Sequence, residues 1–168
     1  MKLTILGSGT AIVTARRGSS GYLIKIADKT LLLDSGSGTL KKIAEASSSF
    51  KEIDYAIYTH LHPDHVTDLI SLLFALRIPS NYKSKDLTVI GPAGMKEFHR
   101  KLTETFDNFI EPRGYELTIN ELSGDHLDFE DFKLTSSLIN HHEGSLAYRV
   151  EEKGGKTIVY SGDTDYCE

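Results

Sequence analysis

The chain has 168 residues, of which 39% are hydrophobic and 26% are charged, and its formal net charge is −5. This composition is typical of one globular domain with a hydrophobic core, and the acidic balance does not support nucleic-acid binding through bulk charge. The single cysteine excludes an internal disulfide, and no apolar stretch approaches the ~20 residues of a membrane helix. We therefore expect one cytoplasmic domain over residues 1–168 that makes no membrane contact.

The predicted elements of the first half alternate between strands and helices. In chain order we expect a strand at residues 2–6, a hairpin of strands at 22–26 and 30–33, a helix at 36–48, a strand at 53–58, a helix at 66–77, a strand at 87–90 and a helix at 93–106. Pro79 would end the helix at 66–77, and Gly91-Pro92 predicts a turn.

The second half is predicted to consist of strands, at residues 116–122, 132–139, 146–151 and 157–160. Gly154-Gly155 predicts a hairpin turn between the last two strands. Together the two halves indicate the α/β class, with a mixed sheet beside a largely antiparallel one and helices on the outside. Because the chain ends soon after a strand-exit loop at 161–164, we expect it to be the front part of a longer polypeptide.

A dense histidine tract follows the predicted strand at 53–58. His60, His62, Asp64 and His65 lie within six residues, at the passage from a strand to a helix. Alternation in an extended segment would place His60 and His62 on one side, and the turn into the helix would direct Asp64 and His65 to a neighbouring point. Neutral imidazole and carboxylate groups suit zinc, manganese or iron, so the tract predicts two adjacent metal subsites. The alternative is a polar loop in which Asp64 caps the helix and the histidines are exposed.

Each subsite needs ligands from elsewhere, because so short a tract cannot enclose an ion. His141-His142 follows the predicted strand at 132–139, and Asp163 follows the strand at 157–160. These are strand-exit positions like that of the tract, and open sheets present functional groups at such ends. Two bound divalent ions would activate water for hydrolysis, and Asp64 would orient that water or accept its proton.

These residues carry a resemblance to a known family. Asp34, the H-x-H-x-D-H tract at 60–65, His141 and Ser-Gly-Asp-Thr at 161–164 resemble, in order and over the whole chain, the motifs of the metallo-β-lactamase fold hydrolases. Within that superfamily, residues 3–10, 32–39, 89–98 and 147–150 are similar to segments of the ribonuclease Z-like branch. The resemblance implies an αββα sandwich whose C-terminal portion is missing from this chain.

The resemblance also implies roles for individual residues. His60, His62 and His141 would hold the first ion, Asp64 and His65 would hold the second, and Asp163 would bridge both. His141 is preferred to His142 because the family histidine usually precedes a tyrosine, here Tyr148, by seven positions. Asp34 would fix the loop through hydrogen bonds without binding metal. The family's last metal histidine would follow Asp163, so the second subsite lacks one ligand in this chain.

The function implied is hydrolysis at a dinuclear centre, with Zn²⁺ favoured and Mn²⁺ or Fe²⁺ as alternatives. The substrate would be a phosphodiester, as for ribonuclease Z; RNA is a candidate that the acidic charge does not favour. The loop at 151–156 is short where ribonuclease Z enzymes often carry a long arm that grips transfer RNA. Two other interpretations remain open: hydrolysis of a carboxylic ester, lactone or thioester, and a metal-binding domain without activity. A homo-oligomer is compatible with each.

Overall fold

The computed structural model describes residues 1–12, 14–78 and 85–166; the predicted helix stop at Pro79 lies outside these ranges. The strands are β1 (Lys2–Gly7), β2 (Gly21–Ile26), β3 (Lys29–Ser35), β4 (Tyr55–Ile57), β5 (Leu87–Pro92), β6 (Leu117–Leu122), β7 (His126–Asp128), β8 (Phe132–Leu138), β9 (Leu146–Glu152) and β10 (Thr157–Tyr160). The helices are α1 (Thr39–Glu45), α2 (Pro63–Leu76), α3 (Met95–Thr105) and a short 3-10 helix (Phe50–Glu52).

The strands form two sheets. β1 to β6 lie in chain order in one six-stranded sheet, in which β1, β2 and β3 pair antiparallel and β3 to β6 pair parallel. One α-helix follows each of β3, β4 and β5, as parallel pairing requires a crossover connection. The second sheet is antiparallel in the order β10-β9-β8-β7. The predicted mixed sheet beside an antiparallel sheet is therefore confirmed.

Two hydrophobic clusters hold three layers together. Alternate side chains of a strand point to opposite faces, so Leu32 of β3 packs towards the helices while Leu31 and Leu33 pack towards the second sheet. The second sheet contributes its inner face, including Phe132 and Leu134, to the cluster between the sheets. In the described part of the chain, α1, α2 and α3 all cover the outer face of the six-stranded sheet. None of these helices is long and apolar enough to cross a membrane.

Some predicted element boundaries were wrong. Gly91 and Pro92 belong to β5, because both positions pair with β6 and do not turn. The predicted helix at 36–48 is α1, which is shorter at both ends, and the predicted strand at 53–58 is the three-residue β4. Strand β7 was not predicted at all.

Gly36, directly after β3, is where the chain passes against the start of α2. A Cβ atom on Gly36 would lie 1.9 Å from the carbonyl oxygen of Asp64 and 2.3 Å from Cβ of Ser19. Only a residue without a side chain fits between these two segments. The close contact brings the end of β3 next to the first turn of α2, where Asp64 and His65 lie.

The cluster between the sheets should dominate stability, and β8 offers a matched pair of leucines to test this. Leu134 is 0% exposed, whereas Leu138 on the same strand is 61% exposed. We expect Leu134→Ala to lower the free energy of unfolding by about 2–5 kcal/mol through lost burial and the cavity left behind. Leu138→Ala should cost less than about 1 kcal/mol. Urea denaturation of both variants checks this; equal losses would contradict the sandwich.

Gly36→Ala should displace the first turn of α2, because backbone atoms cannot yield to the added methyl group. We expect a loss of about 1–3 kcal/mol in the free energy of unfolding, as for other overpacked sites. Gly18→Ala is the control, because nothing lies within 4 Å of a Cβ atom there, and should change stability by less than about 0.5 kcal/mol. Thermal unfolding followed by circular dichroism measures both, and an unaffected Gly36→Ala variant would contradict this packing.

Candidate metal centre

The histidine tract connects β4 to α2 at the edge where the parallel strands end. His62 is the N-cap residue of α2, but its side chain makes no capping hydrogen bond, and Pro63 occupies the first turn, where its missing N–H costs nothing. His60 is 2% exposed and His65 is 0% exposed. The alternative in which Asp64 caps the helix and the histidines are solvated is therefore wrong.

Three imidazoles converge on one side of the tract. The Nε2 atom of His60 lies 3.1 Å from Nδ1 of His62, and Nε2 of His141 lies 3.2 Å from the same Nδ1. One nitrogen from each ring falls within 4.8 Å of the other two. The neighbouring His142 instead directs its Nδ1 to the carbonyl oxygen of Glu143 at 3.1 Å. The geometry thus groups His141, and not His142, with the tract.

A second group lies on the other side of His60. It contains His60, His65 and Asp163, again with ligand atoms within 4.8 Å of one another, and the rings of His60 and His65 are 4.2 Å apart. Oδ1 of Asp163 is 3.3 Å from Nε2 of His65, and Oδ2 of Asp64 is 3.6 Å from it. His60 is therefore common to both groups, and Asp64 stands beside the second group without joining it. The sequence analysis had instead assigned His60 and His62 to one subsite and Asp64 and His65 to the other.

Asp34 fixes the position of His65 in the second group, and of the residues around it, through hydrogen bonds. This fully buried carboxylate accepts hydrogen bonds at Oδ1 from the Thr59 backbone N–H (2.8 Å) and at Oδ2 from the Thr59 hydroxyl (2.9 Å). The same Oδ2 contacts Nδ1 of His65 (2.7 Å) and accepts from the hydroxyl of Tyr160 (2.7 Å). Asp34 thus makes the loop-fixing hydrogen bonds that the resemblance implied.

These contacts decide which histidine nitrogens carry protons. A carboxylate only accepts, so Nδ1 of His65 donates to Asp34 and its Nε2 faces Asp163. The Thr59 hydroxyl gives its one proton to Asp34, so it accepts from Nδ1 of His60 at 2.9 Å. Both rings therefore turn Nε2 into the site. An outer hydrogen bond of this kind is the usual means by which proteins orient a metal-binding histidine.

The charges around the two buried histidines differ. Burial, reinforced by the charge of His65, lowers the pKa of His60 to about 4, so His60 is neutral at neutral pH. Burial would lower the pKa of His65 as well, but the hydrogen bond with Asp34 and the charges of Asp34 and Asp163 outweigh it and raise that pKa. A cation at the Nε2 face of His65 would meet the same favourable field. The acidic side chains thus favour positive charge at the second group.

The loops from the second sheet are tied to the tract and to each other by hydrogen bonds to backbone carbonyls. The Leu146 N–H donates to the Thr59 carbonyl at 2.9 Å, and the Tyr148 hydroxyl donates to the Tyr58 carbonyl at 2.9 Å. The Asp165 N–H donates to the Asn140 carbonyl at 2.8 Å, which joins the loop carrying Asp163 to the loop carrying His141. Both loops are thereby held over the exit of β4.

Tyr160 is a site residue that the sequence analysis missed. Burial and the neighbouring Asp34 charge raise its pKa well above the usual range, so the hydroxyl keeps its proton and donates. A tyrosine on the inner face of a strand needs a polar partner for its hydroxyl, and that requirement was the available signal. Its partner, Asp34, lies 126 residues away, which no local pattern reveals.

The residues fit a divalent metal. Nε2 of His65 is buried and, among the described residues, has no hydrogen-bond partner. A buried unpaired nitrogen is costly, whereas a cation at that point would satisfy it. Imidazole nitrogens with nearby carboxylate oxygens form a donor set that suits zinc, manganese or iron.

Curated relatives are identical to the chain at about a third of the aligned positions. It is 32% identical over 158 residues to Ribonuclease Z of Clostridium acetobutylicum, which covers 89% of this chain and 49% of that protein. It is 32% identical over 150 residues to Ribonuclease Z of Nanoarchaeum equitans, covering 89% of this chain and 46% of that protein. The chain therefore spans about half the length of the curated relatives it matches.

Solved structures and a family profile agree on the fold. Human tRNase Z, short form, superimposes with a TM-score of 0.82 at 24% identity, over 97% of this chain and 69% of that one. The metallo-beta-lactamase fold protein YhfI from Bacillus subtilis gives a TM-score of 0.81 at 25% identity, over 99% and 64%. The profile of the Metallo-beta-lactamase superfamily matches residues 14–167. The chain therefore has the predicted fold and belongs to the metallo-beta-lactamase superfamily.

Proposed function

We propose that this chain forms the dinuclear metal centre of a hydrolase that cleaves phosphodiesters, in the manner of ribonuclease Z. The observation that carries the proposal is the buried Nε2 of His65, which has no hydrogen-bond partner among the described residues and lies 3.3 Å from Oδ1 of Asp163 and 3.6 Å from Oδ2 of Asp64, adjacent to the group of three histidines. The Ribonuclease Z relatives support a phosphodiester as the bond to be cleaved. RNA is the natural candidate within that class, although the net charge of −5 lends it no support.

The residues take distinct roles in this proposal. His60, His62 and His141, which form one group of possible ligands, would hold one ion. His65 and Asp64 would hold the other, and Asp163, which is grouped with His60 and His65, would contribute to both. Two Zn²⁺ ions, or Mn²⁺ or Fe²⁺ in their place, would supply an activated water at neutral pH and neutralise charge that develops on a phosphoryl group. Asp64, whose side chain is 15% exposed, orients that water or accepts its proton.

The two adjacent histidines His141 and His142 provide a matched test of the ligand set. We expect His141→Ala to remove one of two bound zinc ions, because His141 supplies a nitrogen 3.2 Å from Nδ1 of His62. His142→Ala should leave two ions bound, because that ring faces the Glu143 carbonyl. Inductively coupled plasma mass spectrometry on dialysed protein counts the ions. Loss of an ion in His142→Ala alone would assign the ligand to His142 instead.

The catalytic proposal is tested by hydrolysis of bis-p-nitrophenyl phosphate with the chain loaded with zinc or manganese. We expect release of p-nitrophenol, and we expect Asp64→Asn to lower kcat about 100-fold or more through loss of the proton acceptor. Asp128→Asn, which changes an exposed carboxylate on β7 far along the second sheet, is the control and should retain full activity.

Two outcomes of this experiment would overturn the phosphodiesterase proposal. A chain with two bound ions that cleaves p-nitrophenyl acetate but not the diester would instead be a carboxylic ester hydrolase. A chain that binds less than one tight ion and cleaves neither compound would be a metal-binding domain without activity. Retention of full activity in Asp64→Asn would remove Asp64 from the catalytic role only.

A further inference from the structure

Tyr160 in the second sheet is hydrogen-bonded to Asp34 in the first. It is the last residue of β10 and precedes Asp163 by three positions, and its hydroxyl donates to Oδ2 of Asp34 at 2.7 Å. We propose that Tyr160 is a positioning residue, whose hydrogen bond to Asp34 fixes Asp163 opposite His65 and thereby sets the affinity for the second ion. This inference rests on the proposed function, because it assumes that the site holds divalent ions.

The side chain of Asp163 makes few contacts of its own. Its side chain is 43% exposed, and among the described residues its ion-pair partner is His65, at 3.3 Å. The position of the carboxylate therefore depends on how its loop is anchored. Gly162, with φ of +60°, lies so close to Thr59 that a Cβ atom would be 2.8 Å from the Thr59 side chain. The contact of Gly162 before Asp163 and the hydrogen bond of the Asp165 N–H to the Asn140 carbonyl after it hold this loop near the tract.

The hydrogen bond of Tyr160 joins the two halves of the second subsite through one oxygen atom. Oδ2 of Asp34 contacts both Nδ1 of His65 and the Tyr160 hydroxyl, each at 2.7 Å. The ring of Tyr160 also packs on Tyr22, with centroids 4.9 Å apart, so the side chain has a defined position. Oδ2 of Asp34 therefore fixes both the ring of His65 and the end of β10, the strand that leads to Asp163.

The first subsite is linked to Tyr160 less directly. His60 reaches Asp34 only by way of the Thr59 hydroxyl, and none of the hydrogen bonds of His62 and His141 in the described structure involves Tyr160 or Asp34. Loss of the Tyr160 hydroxyl should therefore weaken the second ion more than the first. Removal of an outer partner that orients a ligand usually costs 10- to 100-fold in metal affinity.

Tyr148 provides the matched control. It pairs directly with Tyr160 across β9 and β10, it is buried, and its hydroxyl also donates one hydrogen bond, to the Tyr58 carbonyl. Tyr148→Phe therefore removes the same chemical group from the neighbouring strand without touching Asp34. A general loss of stability would affect both variants, whereas selective positioning of Asp163 would affect Tyr160→Phe alone.

The experiment titrates Zn²⁺ into the metal-free 168-residue chain by isothermal calorimetry and repeats the titration with Co²⁺ followed by visible absorption. Measurements in the His62→Ala background, which disables the first subsite, assign the remaining ion to the second. We expect Tyr160→Phe to weaken that ion about 10- to 100-fold and to shift its Co²⁺ bands, with a smaller change at the other ion. Tyr148→Phe, which loses a hydrogen bond to the Tyr58 carbonyl and none to Asp34, should not weaken the second ion selectively.

Three results would overturn the assignment: equal affinities in Tyr160→Phe and the unmodified chain, equal weakening of both ions, or collapse of the metal-free fold in Tyr160→Phe with Tyr148→Phe intact. The last would make Tyr160 a general stabilising residue. Because the readout is metal binding, failure of the proposed function is separable. Two bound ions without hydrolysis would reject the hydrolase and retain the role of Tyr160.

Discussion

The buried carboxylate of Asp34 is the interaction on which the rest of the site depends. Asp34 is the residue before the last in β3 and has a φ of 51°, in the left-handed region, which aspartate tolerates better than most residues. Its carboxylate accepts hydrogen bonds from the Thr59 N–H and hydroxyl, from Nδ1 of His65 and from the Tyr160 hydroxyl. A buried charge is stable only when it is fully hydrogen-bonded, so the segments that supply these donors cannot shift independently.

The hydrogen bonds around Asp34 explain how a chain with a net negative charge orients a cluster of histidines. The donors to Asp34 turn the Nε2 atoms of His60 and His65 inwards, and the carboxylates of Asp64 and Asp163 lie at the rim of the same space. Their negative charge would balance that of divalent cations, while Asp34 would act on such ions through His65 and, by way of Thr59, through His60. The overall charge of the protein therefore says little about the field inside the site, where a few oriented groups dominate.

Much of the fold could be predicted because the strands carry their own patterns. β10 was predicted with the bounds it has, since Ile158, Val159 and Tyr160 form a β-rich run after the Gly154-Gly155 turn. β7 was missed because three residues with one apolar side chain give no periodic signal. Gly91-Pro92 was predicted as a turn from local preference, yet the parallel pairing of β5 with β6 keeps that segment extended. Tertiary pairing overrides local propensity at such positions.

The candidate site could likewise be predicted where the local sequence carries a signal, and not where tertiary contacts decide the geometry. The density of the tract at 60–65 revealed it, and common strand-exit placement linked it to His141 and Asp163. The approach of His60 to His65, with ring centroids 4.2 Å apart, depends on how the chain turns into α2 around Pro63, and no spacing rule contains that turn. The contact between Tyr160 and Asp34 depends on the docking of two sheets, which only the folded structure shows.

The location of the proposed ligands on two different sheets would have a thermodynamic consequence. His60, His62 and His65 follow the six-stranded sheet, whereas His141 and Asp163 leave strands of the four-stranded one. A complete donor set exists only while the sheets are docked, so the docked state alone would bind the ions tightly. By mass action, each tenfold rise in free metal above the dissociation constant would then add about 1.4 kcal/mol to the docking of the two sheets. The proposed catalytic centre would thus also stabilise the docking of the two sheets, so that the concentration of free metal would control the stability of the fold.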